Sequence, residues 1–524
     1  MRIPTIGRAQ PGLARALRPG LARAPRPGLA LALATASTLA VATPATAQSV
    51  PPDSATTSGS GGPLATQAPV GVRPPKSQAL PAEALPGGRT APPGLPQAIR
   101  WTENWSAAPA PDAPLLDRIH HIPIGDGGTY LSLGGEARAY YTDWSHQVLG
   151  LRPDANDPLI MRLRLLADLH VGPNVRAFVE LGDNREFGEQ FATPPNRDKL
   201  DISQAFIDVT LPLGNAGKLT FRPGRFEMPL GNGKLVGMRE GPNVRYTYQG
   251  IRATYILPGK VSIDAFATQP VNFKPGTFDD GPSHTSAFHG VYVSAPNRVL
   301  GFGTDVYWYE YKRDRGVLFE GVGKDDRNNW GARLWRRGPT IDIDLEGNHQ
   351  SGRFANQDID AYAILFEGGY TFARAPMAPR LGIRANVFSG DRRAGDGTAG
   401  TFVAASPRLP VTSEPGFVNL SNLMALYPNL TLKPRSDVTI LVGPDFLWRN
   451  SRNDGVYVGP AGASFAPYAS SRAIGTEFNL EASWQATKRL QFRIYETYLA
   501  VSDSFAAHGG KSGNYLGAQS YYRF

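Results

Sequence analysis

The 524-residue chain has no cysteine, and its body has no long hydrophobic run. Without cysteine it has no disulfides, thiolate metal sites or cysteine nucleophiles. A transmembrane helix needs about 20 mostly apolar residues in a row, and no segment after residue 47 supplies them. With 41% hydrophobic residues and a mean hydropathy of −0.27, the chain is not a helical membrane protein.

The N-terminus has the pattern of a secretory signal peptide. Six arginines precede the apolar residues 29–41, and Ala45, Thr46 and Ala47 form an A-x-A cleavage pattern before Gln48. We predict a signal peptide over residues 1–47. This segment has no acidic residue, so its removal lowers the net charge from +9 to +3. The basic balance therefore gives no support to nucleic-acid binding, and we expect no nucleic-acid partner.

Residues 48–100 are rich in proline, serine, glycine and alanine. Such a composition cannot bury a core, so we predict a disordered linker in the periplasm. A periplasmic partner is possible for this linker. Residues 101–129 form an N-terminal lead-in to the body of the chain.

The body, residues 130–524, alternates apolar with polar or charged residues. Between Met161 and Val171 every odd position is apolar, and the even positions include Arg162, Arg164 and Asp168. Successive strand residues point to opposite faces. Several ionisable groups on one inner face are costly in a dry core but suit a water-filled lumen. We predict an all-β transmembrane antiparallel barrel over residues 130–524.

The connections between segments alternate in length, with short turns at one end and loops of roughly ten to forty residues at the other, as in outer-membrane barrels. We count about 18 segments, which leaves an aqueous channel. The short turns fall at residues 172–174, 213–217, 258–259, 295–297, 337–339, 375–378, 433–436 and 486–489. The terminal aromatic Phe524 is typical of barrels recognised by the insertion machinery of the outer membrane. We expect the lipid bilayer and that machinery as partners and the Gram-negative outer membrane as location.

Several motifs resemble those of the alginate export family of outer-membrane barrels. They are residues 224–227, Gly231, Gly233, Leu235, residues 239–245, residues 206–208, residues 389–391, residues 420–423 and the terminal Arg523 and Phe524. The resemblance spans about residues 101–524. It implies an 18-stranded channel whose lumen arginines pair transiently with the carboxylates of an anionic polysaccharide.

The candidate site residues follow from the strand pattern and the resemblance. The predicted pore-lining residues are Arg138, Arg162, Arg164, Arg176, Arg222, Arg225, Arg252, Arg333, Arg384 and Arg493. Arg225 and Arg493 match positions where the family pattern carries pore arginines. The predicted constriction loop contains Arg239, Glu240, Asn243 and Arg245, and the predicted charge-balancing acids are Glu180, Asp208 and Asp391.

The sequence departs from the alginate exporter itself in two places. In the first, Ser203 or Gln204 and also Gln491 stand where the exporter carries arginines. In the second, residues 486–489 replace its long periplasmic gate loop. These departures favour an alternative in the same class, a general or nutrient-uptake porin with weak anion selectivity. An outer-membrane enzyme or adhesin acting through its loops is a third reading. No catalytic motif, cofactor site or metal site is predicted.

Overall fold

The structure is a computed structural model that describes residues 96–125, 127–152, 155–407, 411–458, 463–468 and 470–524. The predicted signal peptide and the predicted linker up to residue 95 lie outside the described residues. The described chain begins at Pro96, and Ile99 and Arg100 are already buried.

Within the described residues, eighteen antiparallel strands close into one barrel, which confirms the predicted fold and strand number. The first nine strands are β1 Tyr130–Ser145, β2 Leu159–Val171, β3 Val175–Phe187, β4 Asp198–Pro212, β5 Lys218–Phe226, β6 Tyr248–Ile256, β7 Ser262–Asn272, β8 Ser286–Val299 and β9 Phe302–Leu318. The others are β10 Gly321–Arg337, β11 Ile341–Phe354, β12 Gln357–Thr371, β13 Arg380–Phe388, β14 Leu423–Arg435, β15 Val438–Trp448, β16 Ala473–Gln485, β17 Leu490–Val501 and β18 Gly513–Arg523.

The barrel closes where β1 pairs with β18, in a register that runs from Glu136 opposite Arg523 to Trp144 opposite Tyr515. Phe524 extends this pairing, because its N–H donates to the Gly135 carbonyl at 3.0 Å and its own carbonyl accepts the Gly135 N–H at 2.6 Å. Closure satisfies the edge strands, as a barrel in lipid requires.

The two ends of the barrel differ in their connections. One end, the short-turn end, has turns of two to eight residues; the other, the long-loop end, carries the long connections. Two connections there are only two residues long, residues 319–320 and 355–356, so the expected alternation is incomplete. The turn expected at residues 295–297 lies instead at Leu300 and Gly301, whose φ angles of 49° and 77° suit a tight hairpin.

The outer face of the barrel is apolar. Leu165, Ile251, Val306 and Leu381 each expose more than half of their surface on this face. A continuous apolar band of this kind needs lipid to cover it. The charged neighbours of these four residues, Arg164, Arg252, Asp305 and Arg380, lie buried on the opposite face of the same strands.

Little of the remaining structure is regular. The helices are α1 Leu115–Arg118, α2 Asp503–Ala506 and the 3-10 helices Arg100–Thr102, Pro194–Asn196, Gly214–Ala216 and Pro258–Lys260. The short strands are Ile122–Pro123, Ala155–Asn156, Gly281–Pro282, Thr398–Ala399, Val456–Val458 and Ala463–Phe465. Over the described ranges, no helix combines the length and the apolar character needed to cross a membrane.

Candidate functional site: the lumen and its constriction

Charged residues on the inward face of the wall are joined in pairs. Arg176 donates two hydrogen bonds of 2.7 Å to the Asp168 carboxylate. Arg222 makes the same bidentate contact with Asp208, also at 2.7 Å. Bidentate charge-assisted pairs are short and geometrically specific. These cross-strand pairs brace the wall and balance its charge locally.

The pairing continues on the neighbouring strands. Arg252 lies 2.8 Å from Asp264. Arg333 lies 2.9 Å from Asp305 and 2.5 Å from Asp344. Because each guanidinium already has a carboxylate, a solute anion that enters the lumen has to compete for it.

The connection between β5 and β6, residues 227–247, folds into the lumen; we call it the first inner loop. Its apolar side chains Val236 and Met238 are almost fully buried. Gly231 has a φ of 57°, and a Cβ at this position would lie 2.3 Å from the Tyr292 hydroxyl. Glycine is therefore required where the loop turns against the wall.

Hydrogen bonds fix the tip of the first inner loop to the wall. Arg138 donates to the Glu240 carbonyl and to Asn243 Oδ1, both at 2.7 Å. Asn243 in turn donates through Nδ2 to the Met161 carbonyl at 2.7 Å. Arg162 donates to Glu240 Oε1 at 2.6 Å. The loop is therefore held from several strands at once.

The charges of the first inner loop and wall form one buried network. Arg245 lies 3.2 Å from Glu227 and also pairs with Glu240, while Arg164 lies 3.1 Å from Glu227. Burial alone would raise the pKa of Glu240, but Arg162 and Arg245 outweigh it and hold that pKa below its ordinary value. Glu240 therefore stays ionised in the constriction.

The connection between β13 and β14 is residues 389–422; we call it the second inner loop. Its described residues 399–407 and 411–418 fold inward, whereas residues 392–397 stay exposed at the long-loop end. Phe402 and Phe417 are fully buried in it. It meets the first inner loop where the Gly237 N–H donates to the Ser406 carbonyl at 2.7 Å. From the wall, Arg384 donates to the Val411 carbonyl at 3.2 Å. The two loops thus support each other across the lumen.

Glu414 is an unusual acid of the second inner loop. Its carboxylate accepts a 3.4 Å hydrogen bond from the Tyr140 hydroxyl. Burial raises its pKa to about 7, against the opposing influence of Arg493. Its charge therefore changes close to neutral pH.

A third segment, residues 96–103, enters the lumen beside the ends of β1 and β18; we call it the N-terminal segment. Arg100 donates to the carbonyls of Gly135 at 2.5 Å and Phe524 at 2.8 Å. The Trp101 ring lies 4.2 Å from the Arg222 guanidinium, within cation–π range. Arg245 of the first inner loop donates to the Ala98 carbonyl at 2.8 Å. All three inward segments therefore narrow the same lumen.

A cavity of about 200 Å³ opens beside Trp101 and the turn at residues 172–174; we call it the basic vestibule. Its charged lining is Arg176, Lys218, Arg222, Arg252 and Asp208. Three of these cations are balanced, because Arg176 pairs with Asp168, Arg222 with Asp208 and Arg252 with Asp264. The exposed Lys218 therefore supplies the net positive charge that attracts anions to this cavity.

Residues 129–519 match the family model named Alginate export. The chain belongs to the alginate export family. No curated protein sequence matches it. As a family member with this fold, it is an outer-membrane channel protein, and neither the family nor the fold is that of an enzyme.

Solved structures of Pseudomonas aeruginosa porins share the fold. OpdK with vanillate is 11% identical, with a TM-score of 0.50, and the match covers 75% of this chain and 98% of OpdK. OccD3 (OpdP) is 12% identical, with a TM-score of 0.50, and the match covers 75% of this chain and 91% of OccD3. At these identities the likeness extends to the barrel fold alone.

Most predicted pore residues of this family member lie on the inward face. Those whose side chains contact the first inner loop are Arg138, Arg162 and Arg164. Those that line the basic vestibule are Arg176, Arg222 and Arg252. The others are Arg333, Arg384 and Arg493, and Arg493 lies 2.5 Å from Glu481. The predicted constriction residues Arg239, Glu240, Asn243 and Arg245 all lie in the first inner loop and are largely buried.

The prediction for Arg225 was wrong. Arg222 faces the lumen, and a residue three positions later on a regular strand faces the other way. Arg225 accordingly faces outward and bonds the Ile202 carbonyl at 2.8 Å and Gln249.

Two of the three predicted charge-balancing acids do contact arginines. Asp208 pairs with Arg222, and Glu180 lies 3.2 Å from Arg164. Asp391 does not lie opposite a predicted pore arginine. It sits in the second inner loop, where its N–H donates to Asp454 at 3.0 Å. Burial, reinforced by Asp454, raises the pKa of Asp391.

Sequence reasoning missed three inward groups. Arg327 donates to the Thr401 carbonyl of the second inner loop at 2.9 Å; its position on the same strand face as Arg333 was a usable signal. Lys234 of the first inner loop lies 3.2 Å from Glu367. Nothing in the sequence pattern placed Trp101 in the lumen.

Proposed function

We propose that this channel lets anionic saccharides, including acidic polysaccharides, cross the outer membrane passively in the direction of export. The observation that carries this proposal is the basic vestibule, where three arginines held by carboxylates line one cavity together with the exposed Lys218. In outer-membrane barrels the short turns face the periplasm, which would place the vestibule at the entrance for a solute leaving the cell.

The arginines of the vestibule suit transient binding. Arg222 is shared between the Asp208 carboxylate and the face of Trp101. An incoming carboxylate would take over one bond at a time, so each site stays weak. A series of weak sites allows a polyanion to enter and also to leave. The driving force would be a concentration gradient or a periplasmic partner bound to the linker.

A second candidate is a nutrient-uptake porin with weak anion selectivity. It is favoured by the three inward segments, because Arg138 and Arg162 hold the first inner loop through buried hydrogen bonds. A small anionic solute could pass such a constriction without moving it. A polymer chain would have to displace at least the N-terminal segment.

Planar-bilayer recordings on the refolded chain without residues 1–47 test the proposal. Under a potassium chloride gradient we expect an anion-selective reversal potential, and polyuronate should block the current more strongly from the side of the short turns. Lys218→Gln should weaken the anion selectivity, because it removes an exposed cation of the vestibule and leaves the arginine–carboxylate pairs intact. Arg353→Gln is the matched control, since Arg353 is exposed and pairs with the exposed Asp358.

The outcomes separate the candidates. Cation selectivity, or a closed channel, would reject the proposal for anionic saccharides. Anion selectivity with block by monomeric uronate but no effect of the polymer would favour the uptake porin. Block by both, with passage of short polyuronates into liposomes, is the result we expect.

A further inference from the structure

A second polar cavity, of about 410 Å³, lies at the long-loop end of the barrel. Its lining includes Tyr362, Arg392, Asn450, Arg452, Asn453 and Arg472. Three of its lining residues are arginines, and none of the described lining residues is acidic. We call it the rim pocket.

The rim pocket opens on the lipid-facing side of the wall and not into the lumen. Tyr362 lies on the same strand face as Ile364, which exposes 48% of its surface to the outside. Asn450 follows the end of β15 on its outward face, where the rings of Phe446 and Trp448 stack with their centroids 6.2 Å apart. Outward aromatic residues mark the level of the lipid head groups. The pocket therefore lies at head-group height.

A buried arginine builds the floor of the rim pocket. Arg449 is fully buried and donates to the carbonyls of Arg452 at 3.1 Å, Tyr468 at 2.5 Å and Ser471 at 2.5 Å. With these carbonyls turned inward, the side chains of Arg452 and Arg472 remain exposed at the surface. The loop geometry is thus fixed before any ligand arrives.

The other side of the pocket is tied to this floor. Asn453 donates through Nδ2 to the Arg392 carbonyl at 2.5 Å, and Arg472 donates to the Asn450 carbonyl. Two outward acids lie nearby on β12, where Asp358 pairs with Arg353 at 3.0 Å and Asp360 lies 3.1 Å from the His349 imidazole. With three arginines and no acid among its described lining residues, the pocket keeps a positive excess.

We propose that the rim pocket binds the phosphorylated saccharide head group of a lipid in the membrane leaflet at the long-loop end. Planar guanidinium groups match phosphate oxygens in bidentate geometry. The amides of Asn450 and Asn453 and the hydroxyl of Tyr362 offer partners for sugar hydroxyls. A lipid head group is already held at this height by its acyl chains, which cover the apolar band below. This site does not depend on the solute of the channel.

The test uses the folded full barrel, without residues 1–47, in phosphatidylcholine nanodiscs doped with lipid A, a disaccharide lipid with two phosphates. Native mass spectrometry counts the lipid A that remains bound. Arg392→Gln/Arg472→Gln should reduce this occupancy about tenfold relative to wild type. Arg315→Gln, an exposed arginine at the same end of the barrel and outside the pocket, is the control and should retain it.

Three arms decide the proposal. Dephosphorylated lipid A should bind no more than the phosphatidylcholine, and inorganic phosphate at millimolar concentration should displace little lipid. Equal binding by the double variant, or by the dephosphorylated lipid, would overturn the proposal. Complete displacement by inorganic phosphate would overturn the lipid assignment and leave a free-anion site. If the double variant does not fold, Arg392→Gln is measured alone. This single variant keeps the backbone carbonyl that accepts from Asn453, so the pocket stays in place, and we expect it to bind less lipid A than the wild type.

Discussion

Glu240→Gln tests whether the first inner loop is held in the lumen by charge. Glu240 receives hydrogen bonds from Arg162 at 2.6 Å and from Tyr521 at 3.2 Å, and it pairs with Arg245. The substitution keeps the size of the side chain and removes its charge. It leaves Arg162 with Glu136 at 2.7 Å and Arg245 with Glu227 at 3.2 Å.

The size of the effect follows from these remaining partners. Removing one member of a buried ion pair costs about 3–5 kcal/mol when the other is left uncompensated. Here both arginines keep one carboxylate, so we expect the lower figure, about 3 kcal/mol. Since each 1.4 kcal/mol is a factor of ten, the displaced state of the loop should become about 100-fold more populated. The lumen also loses one negative charge.

Two measurements report these changes. Single-channel recordings should show more frequent current fluctuations as the loop leaves its site. The reversal potential in a salt gradient should shift toward stronger anion selectivity. Glu310→Gln is the matched control, because Glu310 pairs with His289 and Lys312 on the outward face.

Unchanged current noise together with an unchanged reversal potential would refute this reasoning. The loop would then be held mainly by the neutral amide contacts of Asn243, which bonds the carbonyls of Met161, Arg185 and Asn196.

Four further results are expected. Trp101→Ala should raise single-channel conductance, because truncating a buried tryptophan costs about 3–5 kcal/mol and loosens the N-terminal segment; equal conductance would mean that this segment does not obstruct the lumen. Lowering the pH from about 8 to about 6 should increase anion selectivity, since Glu414, with its pKa raised to about 7, gains a proton and loses its negative charge; Glu414→Gln should abolish this dependence in reversal-potential measurements. Gly231→Ala should make the first inner loop sensitive to added protease, because its backbone conformation and the nearby tyrosine hydroxyl exclude a side chain; resistance equal to wild type would contradict this. Arg225→Gln should leave the reversal potential unchanged, whereas Arg252→Gln should lower anion selectivity; the reverse order would contradict the assigned strand faces.

The barrel could be predicted because its signals are local. In β2, alternation between apolar residues and Arg162, Arg164 and Asp168 already separates the lipid face from the lumen face. The same alternation places Arg225 on the face opposite to Arg222, because the two residues are three positions apart on one strand. Tight turns without glycine or proline, such as Ala355 and Asn356, gave no comparable signal.

The lumen could be predicted only in outline. The residues of the first inner loop were found because their motif resembles that of a family, but the pairing of each arginine was not. Arg138 reaches Glu240 across 102 positions of the chain, and Arg245 reaches Ala98 across 147. Such contacts depend on how the closed wall brings distant strands around one axis.

The sequence by itself determined that this protein is an outer-membrane barrel of about eighteen strands with a charged inner face, because strand period and turn length are properties of neighbouring residues. Only the tertiary structure decided that two loops and the N-terminal segment fill the lumen, that most inward arginines are already paired, and that a basic vestibule and a rim pocket remain open. These features depend on contacts between segments far apart in the chain, which form only once the wall has closed.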